Sequence, residues 1–138
     1  MGNRIDANDL AKEVEGLLDK FGQEAENCLS EAVWQTAGEA VKRLKTAGDF
    51  GGTGDYKKGW SRKITRKRLY TEATVYNKTE GQLTHLLEFG HVLKRGGRLI
   101  GKGWVDAIPH IAPINDAIPE IFVDKFTDLL AEQLINNR

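Results

Sequence analysis

The chain has 138 residues, a length that predicts one compact domain over residues 1–138. Its composition, 40% hydrophobic and 29% charged with three prolines, excludes a disordered or fibrous protein. The net charge is zero, but residues 1–50 carry 6 basic and 10 acidic groups, residues 51–110 carry 12 and 5, and residues 111–138 carry 2 and 5. This acid–base–acid order suits a molecule that docks on copies of itself or on other charged proteins.

The sequence predicts neither a membrane span nor a secretion signal. No apolar run approaches the roughly 20 residues that a spanning helix needs, and residues 1–6 lack the apolar core of a signal peptide. The single cysteine, Cys28, lies within a helical pattern and has no second cysteine in the chain to pair with. We therefore expect no membrane partner and a reducing compartment.

The first predicted element is a long amphipathic helix over residues 9–47. Apolar residues recur at intervals of three and four from Leu10 to Leu44, and basic residues precede Gly48, where the negative end of the helix dipole favours them. An unbroken helix of this length would be on the order of 58 Å long. One end is therefore expected to project from the domain.

A basic two-stranded ribbon is predicted next. The glycine-rich stretch 49–59 lacks the spacing of a phosphate-binding loop and is predicted to be a mobile connection. Residues 60–67 and 69–76 each alternate apolar and polar side chains, which predicts two strands joined by a tight turn near residues 66–68.

The ribbon has two interpretations. Its cations and aromatic rings are of the kind that lie along a nucleic-acid backbone. On that interpretation the contact residues are Lys57, Lys58, Trp60, Arg62, Lys63, Arg66, Lys67 and Arg68. The other interpretation is a solvated strand face whose charges discourage edge-to-edge aggregation, and the acidic remainder of the chain favours it.

A short helix and a glycine-rich segment follow the ribbon. Thr79 and Gln82 form a capping-box pattern before a helix that runs through Phe89 and that Gly90 ends. Residues 92–100 hold two apolar patches around a Gly-Gly pair, which predicts either a hairpin or an extended loop.

A second long helix closes the chain. Residues 107–112 are predicted to be extended because prolines disfavour helix in the residues before them, and Pro113 suits the first turn of a helix. The buried stripe of that helix runs from Ile114 to Leu134, with Pro119 as an early kink or a late start. The whole order predicts an α+β fold: a long N-terminal helix and a C-terminal helix packed on a small, mostly antiparallel sheet, with a short middle helix and a glycine-rich loop.

The side chains show no pattern for catalysis or metal binding. His85, Glu88 and His91 have metal-ligand chemistry, but Gly90 ends the helix before the last of them and the spacing matches no zincin motif. The serines lack nucleophile-elbow glycines, and Cys28 lies on an apolar stripe. We expect no enzyme activity, no metal and no cofactor.

Five short runs carry a resemblance to a known family. They are Thr53–Trp60 (TGDYKKGW), Val75–Lys78 (VYNK), Leu83–His91 (LTHLLEFGH), Gly96–Arg98 (GGR) and Pro109–Pro113 (PHIAP). In this order, over almost the whole chain, they resemble the tail-component family of long-tailed bacteriophages. Members of that family are neck, tail-completion or tail-terminator proteins.

The resemblance implies a structural virion protein that does no chemistry. It implies a homo-oligomeric ring, hexameric in the family, at the junction of head and tail. The partners would be the tail tube protein and the head-connector proteins, and nucleic acid would be met only as the genome passes through the ring. The protein would be found in the virion tail or neck after assembly in the cytoplasm of the host bacterium.

The family motifs imply structural roles for six residues: Glu88, Phe89, Gly90, His91, Pro109 and Pro113. Gly90 ends the short helix, Phe89 anchors it, and Glu88 accepts hydrogen bonds from a neighbouring loop.

The segment 91–106 is predicted to be a docking arm. Four glycines make it costly to order, by about 1–2 kcal/mol per residue fixed, so we expect it to be mobile in the free subunit. It nevertheless carries more apolar surface than a solvated loop exposes, which favours burial against a partner with Leu99 and Trp104 as anchors. The predicted interface residues are Leu93, Lys94, Arg95, Arg98, Leu99, Ile100, Lys102 and Trp104.

Overall fold

The computed structural model describes residues 7–67 and 70–136 and confirms the predicted α+β fold. Its elements are α1 (Ala7–Leu44), α2 (Asp55–Lys58), β1 (Trp60–Lys67), β2 (Tyr70–Asn77), α3 (Leu83–Phe89), β3 (His91–Arg95), β4 (Arg98–Val105) and α4 (Ile111–Asn136). Within the described residues the strands form two separate antiparallel pairs, β1 with β2 and β3 with β4.

Helix α1 consists of an inner half that packs and an outer half that projects. Every residue from 7 to 23 is exposed, over a helical length of about 25 Å. The inner half buries Cys28, Ala32, Ala37 and Leu44 against the β1–β2 ribbon and α4. Small side chains on this face let the neighbouring elements approach closely. Because the exposed residues are 7–23, the end of α1 that was expected to project is its N-terminal end.

The ribbon is joined to α1 through Arg62. Its guanidinium lies 3.6 Å from the centre of the Trp34 ring and donates a hydrogen bond to the Trp34 carbonyl oxygen. A Cβ atom at position 38 would collide with this guanidinium. Gly38, which weakens helix propensity by about 1 kcal/mol, is therefore needed for the close approach of Arg62 to α1.

The centre of the core is aromatic. Leu44, Tyr56 and Trp60 are buried together, and the Tyr56 ring stands edge-on to Phe50 at 5.2 Å and to Trp60 at 5.7 Å between ring centres. Tyr56 lies in the one-turn helix α2, within the stretch predicted as a mobile connection. That prediction was wrong for residues 55–58, because burial of the tyrosine ring fixes this turn.

The predicted capping box at Thr79 does not form. Helix α3 begins at Leu83 with Gln82 as its N-cap and no side-chain cap. The Thr79 hydroxyl instead donates to the Asp55 carbonyl at 2.9 Å, and the Asn77 side-chain oxygen accepts the backbone N–H of Glu80 at 2.9 Å. The Thr79 hydroxyl thus joins the end of the ribbon to α2 rather than starting α3.

The segment around the Gly-Gly pair is a hairpin. Gly96 and Gly97 have φ values of 57° and 78°, the left-handed conformations that a two-residue hairpin turn requires. The pairing of β3 with β4 is irregular between Val92 and Lys94. Of the two predicted forms of this segment, the hairpin is confirmed.

Helix α4 runs without interruption through Pro119, so this proline is not a late start of the helix. The predicted stripe from Ile114 to Phe126 is only half-buried, and Leu134 is exposed. The prediction of a buried stripe as far as Leu134 was wrong, because the described residues do not cover the end of this helix.

Gly90 and Gly97 provide a matched pair of substitutions. Both have a positive φ, 76° and 78°, but a Cβ at position 90 would lie 2.6 Å from the Val105 carbonyl oxygen, whereas nothing lies within 4 Å at position 97. We expect Gly97→Ala to lower the free energy of unfolding by about 1–2 kcal/mol and Gly90→Ala to lower it by about 3 kcal/mol or more. Urea denaturation of both variants measures the difference, and equal losses would show that the close approach at Gly90 costs nothing.

Candidate functional site

The candidate site is built around the Glu88 carboxylate, in the last turn of α3. It is buried and accepts the backbone N–H groups of His110 at 2.8 Å, Ile111 at 2.9 Å and Ala112 at 2.9 Å. These three groups form the N-terminus of α4, where the helix dipole favours negative charge. Glu88 therefore caps a helix that begins 23 residues further along the chain.

The two prolines of the Pro-His-Ile-Ala-Pro run complete this cap. The first turn of a helix leaves its N–H groups without partners inside the helix. Pro109 and Pro113 have no N–H, and the three residues between them give all of theirs to Glu88. The backbone donors of this helix start are thus fully satisfied by one side chain.

His110 extends the network to α2. Its Nδ1 atom lies 2.8 Å from both the Ile108 carbonyl oxygen and a Glu88 carboxylate oxygen, so we assign the ring proton to Nδ1. Its Nε2 atom then accepts the hydroxyl of Tyr56 at 2.6 Å. A continuous hydrogen-bond network therefore runs from the start of α4 through the Glu88 carboxylate and the His110 imidazole to the Tyr56 phenol. This network joins α2, α3 and α4.

The pKa shifts in this network favour a structural role. Burial works to raise the pKa of Glu88, but the three backbone hydrogen bonds and the nearby His110 outweigh it and lower the pKa. Burial raises the pKa of Tyr56, and the Glu88 charge raises it further, against a hydrogen bond with Thr84. At neutral pH the carboxylate is ionised and the phenol keeps its proton, which is the state that this hydrogen-bond chain needs.

The structure places the six motif residues as follows. Glu88 accepts hydrogen bonds from the neighbouring segment and Gly90 ends α3, both as predicted, whereas Phe89 is 64% exposed and does not anchor α3 in the core. The remaining three are His91, at the start of β3, and Pro109 and Pro113, which flank the Glu88 cap. The role of Phe89 was predicted wrongly because the helix turns its apolar side chain outward, where it contacts the ring of His85 at 4.9 Å.

The sequence patterns do not indicate Tyr56 and His110 as members of the network. Tyr56 lies in the run Thr53–Trp60, and His110 directly follows Pro109. A histidine directly after a proline, just before the predicted start of the last helix, was the available signal, but nothing in the sequence pairs it with Tyr56.

The residues with metal-ligand chemistry are not brought together. His85 contacts Phe89, Glu88 faces the start of α4, and His91 has a buried Nδ1 atom without a hydrogen-bond partner in the described part of the chain. Across residues 7–67 and 70–136, no group of three or more His, Cys, Asp or Glu side chains is placed to hold a metal ion.

The β3–β4 hairpin exposes the side chains predicted for the interface. Leu99 is 64% exposed and Trp104 is 43% exposed, and the cations Lys94, Arg95, Arg98 and Lys102 are also exposed. Leu93 is half-buried, and the Ile100 side chain lies outside what the structure describes. Lys102 forms an ion pair with Asp106 at 2.7 Å, which leaves the other three cations facing solvent.

The ribbon keeps only part of the predicted nucleic-acid contact set. Trp60 is in the core and has no face available for stacking, a correction that follows from its place beside Tyr56. Arg62 is held by Trp34, and Lys57 donates to the Gly48 carbonyl at 2.8 Å. The exposed cations are Lys58, Lys63, Arg66 and Lys67, and Arg68 lies outside the described residues.

An open apolar cleft of about 680 Å³ lies between α1, the ribbon and α4. Ala37 and Ala40 of α1, Val75 of β2, and Ile118 and Phe122 of α4 are among the residues that line it. The cleft shows that the elements of the subunit do not close completely over their own apolar surface.

No helix in the described ranges is both long enough and apolar enough to cross a membrane. Comparison of the chain with protein-family models, curated protein sequences and solved structures gives no match.

Removal of the Glu88 carboxylate tests its role as the cap of α4. Glu88→Ala leaves three backbone N–H groups without acceptors at a buried helix start, so we expect the free energy of unfolding to fall by about 3–5 kcal/mol. Glu88→Gln keeps one acceptor oxygen, so its free energy of unfolding should fall by about half as much as that of Glu88→Ala. Glu120→Ala, at an exposed position of α4, is the matched control and should change stability by less than about 0.5 kcal/mol. Equal effects at positions 88 and 120 would contradict the assignment.

The same carboxylate predicts a loss of stability in acid. Because the pKa of Glu88 is lower in the folded protein than its ordinary value of 4.5, its contribution is fully present above that value. It is lost as pH falls from about 4.5 through the lowered pKa of the folded state. Urea denaturation at steps between pH 7 and pH 3 should show that the free energy of unfolding falls more steeply for the natural chain than for Glu88→Gln. Parallel curves would mean that Glu88 is not the group responsible.

Proposed function

We propose that this chain is a structural virion protein at the head–tail junction of a long-tailed bacteriophage, where it completes or terminates the tail and joins it to the head connector. It acts through ring-forming contacts between copies of itself and through contacts with the tail tube and connector proteins. The proposal starts from the five sequence runs that resemble the tail-component family. The remaining support comes from the surface of the subunit.

The observation that carries the proposal is the size of that surface. The accessible area of the subunit is 10381 Å². A compact monomer of 15.4 kDa would expose about 7,200 Å². The accessible area by which this subunit exceeds a compact monomer is of the size that subunits of permanent assemblies bury against their partners.

The exposed surface has the chemistry of a protein interface. On the β3–β4 hairpin, Leu99, Val92 and Trp104 stand among cations, and an aromatic anchor with a charged rim is typical of binding hot spots. The two long helices, α1 and α4, carry net negative charge. A basic hairpin on one copy and acidic helices on the next give two different patches per subunit, which a cyclic assembly requires.

The hairpin is the element whose loss should impair assembly. Trp104 packs against Gly90, since a Cβ there would lie 3.0 Å from its ring, but 43% of the residue remains exposed. Assembly would bury this remainder. The prediction that the hairpin is mobile in the free subunit and orders on assembly follows from its four glycines.

We expect Leu99→Ser together with Trp104→Phe to reduce addition to purified tail tubes at least tenfold while the subunit stays folded. Val123→Ser, which removes an equally exposed apolar side chain from α4, is the matched control. Sedimentation of tubes with bound protein measures addition, and negative-stain micrographs show whether rings form. Hydrogen exchange across residues 91–106 should be fast in the free protein and slow on the tubes.

A protein that never adds to tubes or connectors, or a hairpin variant that adds normally, would contradict the proposal. Tight binding to duplex DNA that is lost on Lys63→Glu and Lys67→Glu would support the ribbon as a nucleic-acid surface instead. Those two cations lie 5.4 Å from the Tyr76 and Tyr70 rings, and both are exposed.

A further inference from the structure

The projecting half of α1 carries an apolar stripe that the described residues do not cover. Five large apolar side chains within residues 7–23 are between 45% and 65% exposed. They are Leu10, Val14, Leu17, Leu18 and Phe21. At 100° per residue all five fall within a sector of about 100°, the width of a face that packs against another helix.

Helix α4 explains why the stripe is open. The two helices run in opposite directions, and the end of α4 at Asn136 lies beside Asn27 and Cys28 of α1. Beyond that point α1 continues for about five turns without a neighbouring helix in the described part of the chain. At 100° per residue the buried Cys28 and Ala32 lie within the same sector, so the stripe continues their buried face outward past the end of α4.

The spacing within the stripe is that of a coiled-coil seam. Leu10, Val14, Leu17 and Phe21 are separated by four, three and four residues, which matches alternating d and a positions of a heptad. The next seam position is Glu24, so the apolar seam ends where the subunit begins to cover the helix.

The flanking charges select one orientation for a second copy of this segment. On the heptad defined by the seam, Glu13 and Lys20 both occupy g positions. In an antiparallel pair the g positions of the two helices face each other, so Glu13 of each copy meets Lys20 of the other. In a parallel pair Glu13 would instead face the apolar Leu18. Opposite charges in both flanking contacts favour the antiparallel pair.

We propose that residues 7–23 pair with the same residues of a second copy as a two-fold antiparallel coiled coil. Leu10 packs against Phe21 of the second copy, Val14 packs against Leu17, and two Glu13–Lys20 ion pairs close one side. Leu18 and Ala11 meet on the other side. The contact is short, so its dissociation constant is on the order of micromolar. It uses a surface separate from the β3–β4 hairpin and does not depend on the proposed function.

Sedimentation equilibrium of the full chain tests the contact. The natural protein should pass from monomer to dimer between about 1 and 100 μM, and Leu17→Glu should raise the dissociation constant at least tenfold. Val123→Glu is the matched control, because it places the same charge at a similarly exposed apolar position on α4 and should leave the dimer unchanged. Circular dichroism checks that both variants keep their helix content. A chain that stays monomeric throughout, or a dimer unaffected by Leu17→Glu, overturns the proposal.

Charge reversal and cross-linking test the orientation. Glu13→Lys alone and Lys20→Glu alone should each weaken the dimer severalfold, and the double variant should restore it. A mixture of Val14→Cys and Leu17→Cys chains should form the mixed disulfide under mild oxidation, while Val14→Cys alone should not form a disulfide-linked dimer. Rapid cross-linking of Val14→Cys alone would show a parallel pair and overturn the antiparallel arrangement. Cys28 is buried and stays in place in all of these proteins.

Discussion

The fold depends on one buried carboxylate that caps a helix distant from it in the sequence. Glu88 lies in the last turn of the seven-residue helix α3 and accepts all the free backbone donors at the start of the 26-residue helix α4. Its negative charge is compensated by three N–H dipoles, by the positive end of the helix dipole and by His110, so burial of the charge is tolerated. Through His110 the same carboxylate holds Tyr56, whose ring forms the centre of the core.

This polar anchor matters because the apolar core is small. Among the described residues its buried apolar members are Cys28, three alanines, and Leu44, Tyr56 and Trp60 as the large side chains. Such a core supplies limited stabilisation from burial. A hydrogen-bonded network with defined geometry therefore fixes how α2, α3 and α4 are arranged, and it leaves the apolar surfaces of the hairpin, the projecting helix and the cleft available to other molecules.

The exposed surfaces lie on different parts of the subunit and differ in chemistry. The hairpin combines an aromatic side chain with cations, which suits attachment to an acidic neighbour, whereas the projecting half of α1 has a regular apolar seam between opposite charges. A subunit with two such surfaces can make two kinds of contact independently. This is the organisation that we propose for a protein that both pairs with itself and joins larger structures.

Much of the fold was predictable from sequence because it depends on local periodicity. The long helix and the two ribbon strands were placed to within three residues at each end, since the spacing of apolar residues reports helix and strand directly. The positions of Gly90 and the Gly-Gly turn were also predictable, because only glycine readily adopts a positive φ. Tertiary structure alone decided which side chains become buried: Trp60 and Tyr56 are in the core, while Phe89 faces solvent. It also decided the pairing of Glu88 with a helix start 23 residues away, because contacts between distant residues depend on how the elements pack, and no local pattern encodes that arrangement.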